Sequence, residues 1–387
     1  MVLSFRLDGG GHGPAAPRAG TLTTDRGAVP TPTFMPVGTL ASVKALTPDE
    51  VAATGAGITL VNAYHLYLRP GHRLIESLGG VHRFMGWNGP ILSDSGGYQV
   101  FSLAKLMRVD DEGVRFRSHL DGSEHHYTPE LAIEVQSALG VDIAMPLDHV
   151  LPGDAPAPDQ REAAERTLRW FDRSQALDPS PALFAIVQGG VDEELRRWHA
   201  RELGAREAPG YAIGGLSVGE SKAEMHANTE VACAELPADR PRYLMGVGSP
   251  EDLVHAVARG VDMFDCVLPT RLGRTGSLFT DDGRVHIKGA RYRERTAPLD
   301  PDCDCALCAS YSPAYLHHLF RNEELLAYRL ASIHNLRYLQ RLCERLREAV
   351  LAGAFDAFAG EFLDRYQPAD ETVRTEQRTR WRSRSRT

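Results

Sequence analysis

The sequence predicts an α/β protein: a (β/α)8 TIM barrel followed by a C-terminal helical subdomain that binds zinc. Three observations support this prediction. Short apolar segments alternate with helix-like segments over most of the chain, a tight cysteine cluster follows them, and long helical patterns come after the cluster. With 387 residues, 43% apolar and 24% charged, the chain has the composition of a globular protein with a large core.

Eight short apolar segments have the pattern of strands that are covered on both faces. They are too short for helices, most lack polar alternation, and most end in a polar residue or glycine, as in a parallel sheet. The segments are Thr33–Met35, Ile58–Asn62, Ile91–Asp94, Ile143–Asp148, Phe184–Gln188, Tyr211–Gly215, Tyr243–Gly246 and Met263–Asp265. Their alternation with helices over roughly 240 residues favours a closed barrel over an open doubly wound sheet.

Helix start and stop signals separate these segments. Thr47, Thr128 and Ser249 each precede a proline and acidic residues, which is typical of a capped helix N-terminus. We expect the same helices to end near Gly55, Gly140 and Gly260. In such a barrel the residues that close the strands meet at the C-terminal mouth, where this fold carries its chemistry.

Four regions follow from these patterns. Residues 1–19 are predicted to be an N-terminal extension, residues 20–296 the barrel, residues 297–365 the zinc-binding helical subdomain packed on the barrel, and residues 366–387 an arginine-rich tail. The end from Arg374 to Thr387 has the composition of a disordered segment. Such a tail is usually a solubilising end, although a phosphate-contacting role stays open.

The formal net charge of −8 gives no global signal for a nucleic-acid partner, so any such binding has to come from local basic patches. Residues 271–295 form one, with seven Lys or Arg against three acids, a balance of +4. The alternative is a solvated charged face. The N-terminus lacks an apolar run of signal-peptide length and no segment has the ~20 apolar residues of a membrane span, so we expect a cytoplasmic protein.

The most specific local pattern is Cys303-x-Cys305-x2-Cys308, with His334 following 26 positions later. Three thiolates and one imidazole complete a tetrahedral zinc shell without an open position, which predicts one structural zinc ion per chain. No HxH or HExxH pattern lies at a strand end, so a catalytic zinc is not expected. The alternative is a chance grouping of three cysteines near an unrelated histidine.

Three aspartates close candidate strands: Asp94, Asp148 and Asp265. Carboxylates at one barrel mouth can divide into a nucleophile, a proton carrier and a ligand-recognising group. For a single aspartate, a structural role such as helix capping is the better interpretation, and it is the presence of three at equivalent strand ends that favours catalysis. Glycine pairs near these acids, at positions 96–97, 189–190 and 214–215, would let the backbone approach a flat ligand, or would simply be turns.

Six stretches of the chain closely resemble the tRNA-guanine transglycosylases, also called queuine tRNA-ribosyltransferases. They are Thr31–Thr39, Asn62–Leu66, Ser93–Gln99, Val187–Gly190, Gly214–Glu220 and Asp265–Arg271, and the zinc pattern matches as well. The likeness runs in order from about residue 20 to about residue 360. It implies a pentosyltransferase that replaces the wobble guanine of tRNAs with G-U-N anticodons by a 7-deazaguanine, through a covalent ping-pong exchange.

The resemblance also implies roles for individual residues. Asp265 matches the nucleophile and Asp94 the general acid/base. The base-recognition set corresponds to Asp148, Gln188, Gly215 and Leu216, with Tyr98 and Met245 as stacking walls. Arg271 and Arg274 fall in the loop that holds the anticodon, and the zinc ligands are Cys303, Cys305, Cys308 and His334. The implied substrates are the tRNAs for Asp, Asn, His and Tyr, and the implied assembly is a homodimer, with a heterodimer left open.

Three positions depart from the bacterial pattern or bear on the entering base. His149 and Val150 follow Asp148, where bacterial members usually carry Glu-Cys, and a valine in that place is more like the eukaryotic members, which leaves the entering base open. Val218 stands where eukaryotic members tend to have a glycine that admits the bulky ring of queuine. A short pocket at Val218 favours prequeuosine-1 (7-aminomethyl-7-deazaguanine), with queuine as the alternative. Two rival functions are a non-catalytic tRNA-binding subunit, which would lack Asp265 or Asp94, and a metal-dependent barrel hydrolase, which needs a metal at the barrel mouth.

Overall fold

The computed structural model describes residues 3–11, 13–103, 105–153 and 155–368. Arg374–Thr387, for which a disordered tail is predicted, lies outside these residues. The strands are β1 (Ser4–Gly10), β2 (Arg18–Thr24), β3 (Gly27–Thr31), β4 (Thr33–Met35), β5 (Thr59–Asn62), β6 (Ile91–Asp94), β7 (Lys105–Asp110), β8 (Gly113–Arg117), β9 (Glu124–Tyr127), β10 (Ile143–Ala144), β11 (Ala182–Leu183), β12 (Ala185–Val187), β13 (Tyr211–Ile213), β14 (Arg242–Leu244), β15 (Met263–Asp265), β16 (Ser277–Thr280) and β17 (Gly283–His286).

Helices follow most of these strands. The α-helices are α1 (Pro48–Ala53), α2 (Ala63–Leu68), α3 (His72–Ser77), α4 (Gly80–Met85), α5 (Gly97–Leu103), α6 (Pro129–Leu139), α7 (Ala157–Gln175), α8 (Glu193–Gly204), α9 (Lys222–Glu235), α10 (Pro250–Val257), α11 (Leu268–Thr275), α12 (Ala306–Ser310), α13 (Pro313–Arg321), α14 (Leu325–Leu351) and α15 (Phe355–Arg365). A short 3-10 helix spans Ala290–Tyr292. Across the described ranges, no helix is both long and apolar enough to cross a membrane.

Eight parallel strands close into a barrel. They form two hydrogen-bonded runs, with the orders β11-β10-β6-β5 and β12-β13-β14-β15-β4. In the count of eight, β11 and β12 are consecutive parts of one strand. A parallel bridge between Val37 and Leu60 joins the β4 and β5 ends. At the opposite seam β11 passes into β12 through Phe184, whose amide donates to the Ala144 carbonyl at 3.0 Å. All eight predicted segments contain a barrel strand, so the predicted (β/α)8 fold is confirmed.

The barrel interior is a packed apolar core that is closed at one end. Leu92, Ile143, Ile186 and Met263 are fully buried in one cluster inside the barrel. The antiparallel sheet β1-β2-β3 adds Leu22 and Val29 to the same cluster. Val29 lies beside Gly57, just before β5, so this sheet covers the N-terminal end of the barrel. Because this sheet covers the N-terminal end, the C-terminal mouth is the open end of the barrel. The predicted boundary between the N-terminal extension and the barrel, at residues 19 and 20, falls inside β2.

Two of the three predicted helix-start residues, Thr47 and Thr128, act as side-chain caps, whereas the Ser249 hydroxyl at the start of α10 donates to the Asp252 carboxylate and makes no capping hydrogen bond. Thr47 Oγ1 accepts from the Glu50 amide at 3.3 Å, and the Glu50 carboxylate accepts from the Thr47 amide at 2.9 Å, which is a capping box at the start of α1. Thr128 Oγ1 caps α6 by accepting from the Leu131 amide at 3.2 Å, without a reciprocal bond of the capping-box kind. Gly140 ends α6 in the left-handed conformation (φ 70°), which glycine adopts at little cost.

The C-terminal helices pack against the barrel through α14. Its apolar face, including Leu330, Leu336, Leu339 and Leu346, is buried. Gln340 Nε2 reaches the carbonyl of Phe34 at 2.8 Å, a bond from the helix directly to barrel strand β4. The helix thereby joins the cysteine-bearing segment to the side of the barrel that carries β15.

Candidate active site

Asp94, Asp148 and Asp265 meet in one cavity of about 320 Å³ at the C-terminal mouth of the barrel. Asp94 ends β6 and Asp265 ends β15, while Asp148 lies four residues after β10. Parallel strands deliver their carboxyl ends to the same rim, which is why acids far apart in sequence converge. The other lining residues include Asn62, Tyr98, Gln99, Val150, Gly214, Gly215, Leu216, Ser217, Val218, Tyr243, Met245, Gly246, Cys266 and Arg271.

Asp265 is held through one oxygen only. The Tyr243 hydroxyl donates to its Oδ1 at 2.5 Å, and the Gly246 amide donates to the same oxygen at 2.8 Å. In the described part of the chain Oδ2 accepts no hydrogen bond. Burial raises the pKa of Asp265, while the two donors act in the opposite direction. A carboxylate anchored on one side with a free oxygen on the other is suited to attack an electrophilic carbon.

Asp94 has the environment of a proton carrier. Burial and the nearby charge of Asp265 raise its pKa to about 6, and donors such as the Asn62 side chain, 2.9 Å from Oδ2, act against this rise. A carboxyl group with a pKa near neutrality can give a proton and take one back at working pH. Two neighbouring acids in different environments can divide into a nucleophile and a proton carrier.

Asp148 and Gln188 form a hydrogen-bonded pair at the base of the cavity. Gln188 Nε2 donates to Asp148 Oδ2 at 2.6 Å, and both side chains are buried. Burial, together with the charge of Asp94, raises the pKa of Asp148 to about 7. Such a pair presents a planar array of donors and acceptors of the kind that reads the edge of a purine-like base.

Glycines surround this pair because side chains would collide with it. A Cβ on Gly97 would lie 2.4 Å from Asp148 Oδ1, and one on Gly215 would lie 2.4 Å from Gln188 Oε1. Gly215 also has a positive φ of 66°. Gly97 and the glycines at 214–215 therefore give room for the polar pair, whereas those at 189–190 adjoin Arg196 and Gln160 instead.

The remaining predicted site residues divide into those that face the cavity and those that do not. Tyr98, half exposed on α5, and Met245 line it, as do Leu216 and Arg271. Gln188 lies behind Asp148 and is not itself in the lining. Arg274 lies one turn after Arg271 on α11, also outside the lining, with its Nη1 buried and without a hydrogen-bond partner among the described residues.

Several cavity residues had no role assigned from the sequence, among them Asn62, Gln99, Tyr243 and Cys266. Asn62 closes a predicted strand as Asp94 does, so its position was a usable signal. Gln99 carries a buried Oε1 that has no partner in the described structure. Tyr243 begins its segment, and only the pairing of β14 with β15 brings its hydroxyl to Asp265. The spacing of residues along the chain does not predict that contact.

A second cluster has the donor set of a metal site. The ligand atoms of Cys303, Cys305, Cys308 and His334 all lie within 4.8 Å of one another, and the four side chains are buried. His334 Nδ1 faces the three sulfurs at 3.4–3.8 Å, and its Nε2 lies 2.8 Å from the Phe279 carbonyl. This carbonyl would fix the ring so that Nδ1 is the ligand atom. The four residues therefore fit a metal ion in a closed, thiolate-rich shell.

A closed parallel barrel, a mouth lined by three aspartates and a candidate metal site outside that mouth define an enzyme-type (β/α)8-barrel protein. The family model described as queuine tRNA-ribosyltransferase matches residues 14–368. Curated relatives of that name include proteins of Herpetosiphon aurantiacus (52% identical over 94% of this chain and 93% of the relative) and Symbiobacterium thermophilum (53%, over 94% and 91%). A third, from Desulforudis audaxviator, is 54% identical over 89% of this chain and 94% of the relative. The chain belongs to the queuine tRNA-ribosyltransferase family.

Proposed function

We propose that this chain is a tRNA-guanine transglycosylase that exchanges the wobble guanine of G-U-N anticodon tRNAs for a 7-deazaguanine. The observation that carries the proposal is the pairing of two differently tuned carboxyl groups, Asp265 and Asp94, in a cavity that also holds a base-reading pair. Family membership over residues 14–368 supports the same activity and its place in queuosine biosynthesis.

In the first displacement, Asp265 Oδ2 attacks the anomeric carbon of the wobble ribose and the bond from that carbon to guanine breaks. The electron pair of this bond leaves with guanine, and protonated Asp94 supplies the proton that guanine needs. A covalent ester between Asp265 and ribose then holds the tRNA. Tyr243 and the Gly246 amide, both on Oδ1, would keep the nucleophile oriented throughout.

In the second displacement the entering base attacks the same carbon, Asp94 takes its proton and Asp265 leaves. Two inversions give net retention, as in retaining glycosidases. Asp148 would bind the base edge with the backbone at Gly215 and Leu216, and Gln188 would orient Asp148 from behind. Tyr98 and Met245 would pack on the faces of the base. The wobble base is unpaired in an anticodon loop, so bringing it into the cavity costs little.

Val218 lines the cavity, which supports a small entering base, whereas Val150, also in the lining, is the residue that resembles the eukaryotic, queuine-using members. The backbone next to Val218 is held in place, because the amides of Val218 and Gly219 donate to the Glu220 carboxylate at 3.0 and 3.1 Å. We therefore propose prequeuosine-1 as the entering base and keep queuine as the alternative. Supplying each base separately to protein loaded with guanine-bearing tRNA distinguishes them.

The proposal includes one structural zinc ion bound by Cys303, Cys305, Cys308 and His334. Bound zinc would cross-link these residues and supply folding energy, and the four protein ligands leave no position for substrate. The partners are tRNAs for Asp, Asn, His and Tyr, in a cytoplasmic homodimer. A metal-dependent hydrolase would need a metal at the barrel mouth. The metal-binding group found among the described residues, that of Cys303, Cys305, Cys308 and His334, lies outside the cavity. Against a non-catalytic subunit, both Asp265 and Asp94 are present and adjoin one another.

The test is to trap the covalent intermediate. Wild-type protein, mixed with substrate tRNA and no entering base, is expected to give a protein-RNA adduct on denaturing electrophoresis that disappears when the 7-deazaguanine is added. Asp265→Asn should bind tRNA but lose both adduct and turnover. Asp94→Asn should bind tRNA and form the adduct poorly. An adduct that persists in Asp265→Asn and is absent in Asp94→Asn would reverse the two roles.

A further inference from the structure

The antiparallel sheet β7-β8-β9 is inserted between α5 and α6, at the mouth of the barrel. It is fixed to the active-site rim, because the Tyr127 hydroxyl donates to the Ser95 carbonyl at 3.0 Å, one residue from Asp94. Its inner face is apolar and buried, with Phe116 packed on Tyr64 at a ring distance of 5.5 Å. The helix that carries Tyr98 leads directly into β7, so this sheet is continuous with the cavity wall.

The outer face of the sheet has an unusual charge pattern. Arg108 lies directly opposite Arg115, and Arg115 lies directly opposite His126, so three nitrogen-bearing side chains form a row across the strands. All three are exposed. Neither Arg108 nor Arg115 makes an ion pair or a side-chain hydrogen bond with any residue that the structure describes. Like charges directly opposite one another destabilise a sheet, so this row works against the stability of the isolated fold.

Nearby arginines, in contrast to Arg108 and Arg115, have carboxylate partners. Arg117, on the same face, pairs with Glu124 across the strands at 2.6 Å. Arg166 and Arg169 both bind Asp111 in the β7-β8 turn, at 3.1 and 2.8 Å. The chain thus provides carboxylates for the arginines that flank this face and leaves the central pair without one.

We propose that the outer face of β7-β9, centred on Arg108 and Arg115, binds the phosphate backbone of the tRNA while the wobble nucleotide occupies the cavity. This inference rests on the proposed function, since it takes tRNA as the substrate. Two adjacent guanidinium groups suit phosphate, which each can bind with paired N–H donors. A chain of net charge −8 needs local cationic surfaces to hold a polyanion, and this one adjoins the catalytic rim. It is separate from the basic stretch at 271–295.

The experiment compares Arg108→Gln/Arg115→Gln with wild type and with Arg197→Gln/Arg201→Gln. The control pair removes the same two charges from α8, on the outside of the barrel, where both arginines pair with Glu235. The dissociation constant of substrate tRNA is measured over a range of salt concentrations. The sheet variant should lower the log-log salt slope by about 1.4 to 1.8, since each lost phosphate contact removes ~0.7 to ~0.9. The α8 variant should leave the slope unchanged.

Base exchange provides a second readout. In the sheet variant KM for tRNA should rise, while kcat at saturating tRNA and the affinity for free base should match wild type. Thermal stability should be equal or higher, because a repulsive pair is removed. The single variant Arg108→Gln should lose about half of the slope change, since it removes one of the two contacts.

An unchanged salt slope in the sheet variant, or a change no larger than in the α8 variant, would overturn the inference, and the face would then serve a partner other than RNA or none. Failure of the proposed function looks different: wild-type protein itself would not release guanine from tRNA. In that case tRNA binding by the sheet is tested on its own through the same salt slopes.

Discussion

At the scale of single residues, the site is a set of acids whose proton affinities are separated by their surroundings. Asp148 and Asp94 both have raised pKa values, to about 7 and about 6, and both owe most of the rise to burial. Asp265 has two hydrogen-bond donors on one oxygen, which favour its ionised form. The hydrogen-bonding surroundings of the three acids therefore differ, although burial raises the pKa of each of them in their shared cavity.

Asp148→Asn should impair base recognition more than tRNA binding. Asp148 Oδ2 accepts from Gln188 at 2.6 Å, and an amide in its place would set one N–H group against another or give up an acceptor that the base edge needs. The mismatch should weaken affinity for guanine and for the 7-deazaguanine by about 1 to 3 kcal/mol. Calorimetric titration of free base measures it, and unchanged affinity for both bases would remove Asp148 from the recognition set.

Asp94→Asn should stabilise the fold at alkaline pH. The pKa of Asp94 is raised from 3.8 to about 6 in the folded state, so the wild type loses stability as pH rises through this interval, and the neutral amide does not. The shift corresponds to about 3 kcal/mol at pH 8, with little difference below pH 4. Urea unfolding at both pH values checks this. Asp364→Asn, an exposed acid on α15, is the control, and a pH-independent difference for Asp94→Asn would contradict the linkage.

Which residues the sequence revealed depends on how each reaches the site. Asp94, Asp148 and Asp265 close or follow strand segments, so a prediction of the barrel alone puts them at one mouth. Tyr243 reaches Asp265 only through the neighbouring strand, and Gln188 acts from behind Asp148. Those contacts depend on strand register and side-chain direction, which local spacing does not encode.

At the scale of elements, the eight strands were predictable because each is a short buried run bounded by polar or glycine residues. The sheets outside the barrel were not. β7-β9 alternates buried and exposed residues over only a few positions, as in Val114 and Phe116 against Arg115 and Arg117, which is too short a pattern to separate from a loop. Residues 1–19 likewise appeared to be an extension, whereas β1 pairs with β2 across that boundary.

The candidate metal site, formed by Cys303, Cys305, Cys308 and His334, joins three elements. The cysteines surround the start of α12, His334 lies in α14, and the second ring nitrogen of His334 contacts β16 through Phe279. Removing the metal should therefore loosen the packing of α12, α14 and β16 before it affects any chemical step. Chelated protein should lose thermal stability in step with its zinc content, of about one ion per chain for this closed ligand set.

A matched pair of cysteine variants tests this assignment. Cys308→Ser should lose the metal, whereas Cys343→Ala, a buried cysteine on α14 outside the cluster, should retain it. Metal analysis and a thermal melt are measured on both. A chelated protein that keeps its melting temperature and loses turnover would indicate a catalytic metal instead.

At the scale of the whole molecule, cationic side chains lie near the barrel mouth although the net charge of the chain is negative. The chain carries −8 overall, yet its cationic side chains include Arg271 at the cavity and the arginine row on β7-β9 beside the rim. Most other arginines are neutralised by carboxylates, as in the Arg18–Asp262 pair at the opposite end of the barrel. A polyanion is therefore drawn to the mouth rather than to the body of the protein.

Arg271→Ala and Arg274→Ala should each weaken tRNA binding and lower its salt slope, by ~0.7 for a contact to single-stranded RNA and ~0.9 for one to a duplex. Arg271 faces the cavity, so its loss should also slow exchange. Arg274 is half buried beside it, and burial with the charge of Arg271 lowers its pKa, so a phosphate would relieve that repulsion. Free-base affinity should stay at the wild-type value in both.

The control is Arg240→Ala, which should leave the slope unchanged. Arg240 pairs with Asp239 and lies just before β14, at the closed end of the barrel. If the slopes of Arg271→Ala and Arg274→Ala equal that of Arg240→Ala, the basic stretch from 271 to 295 is a solvated face, and tRNA has to be held by other surfaces at the mouth.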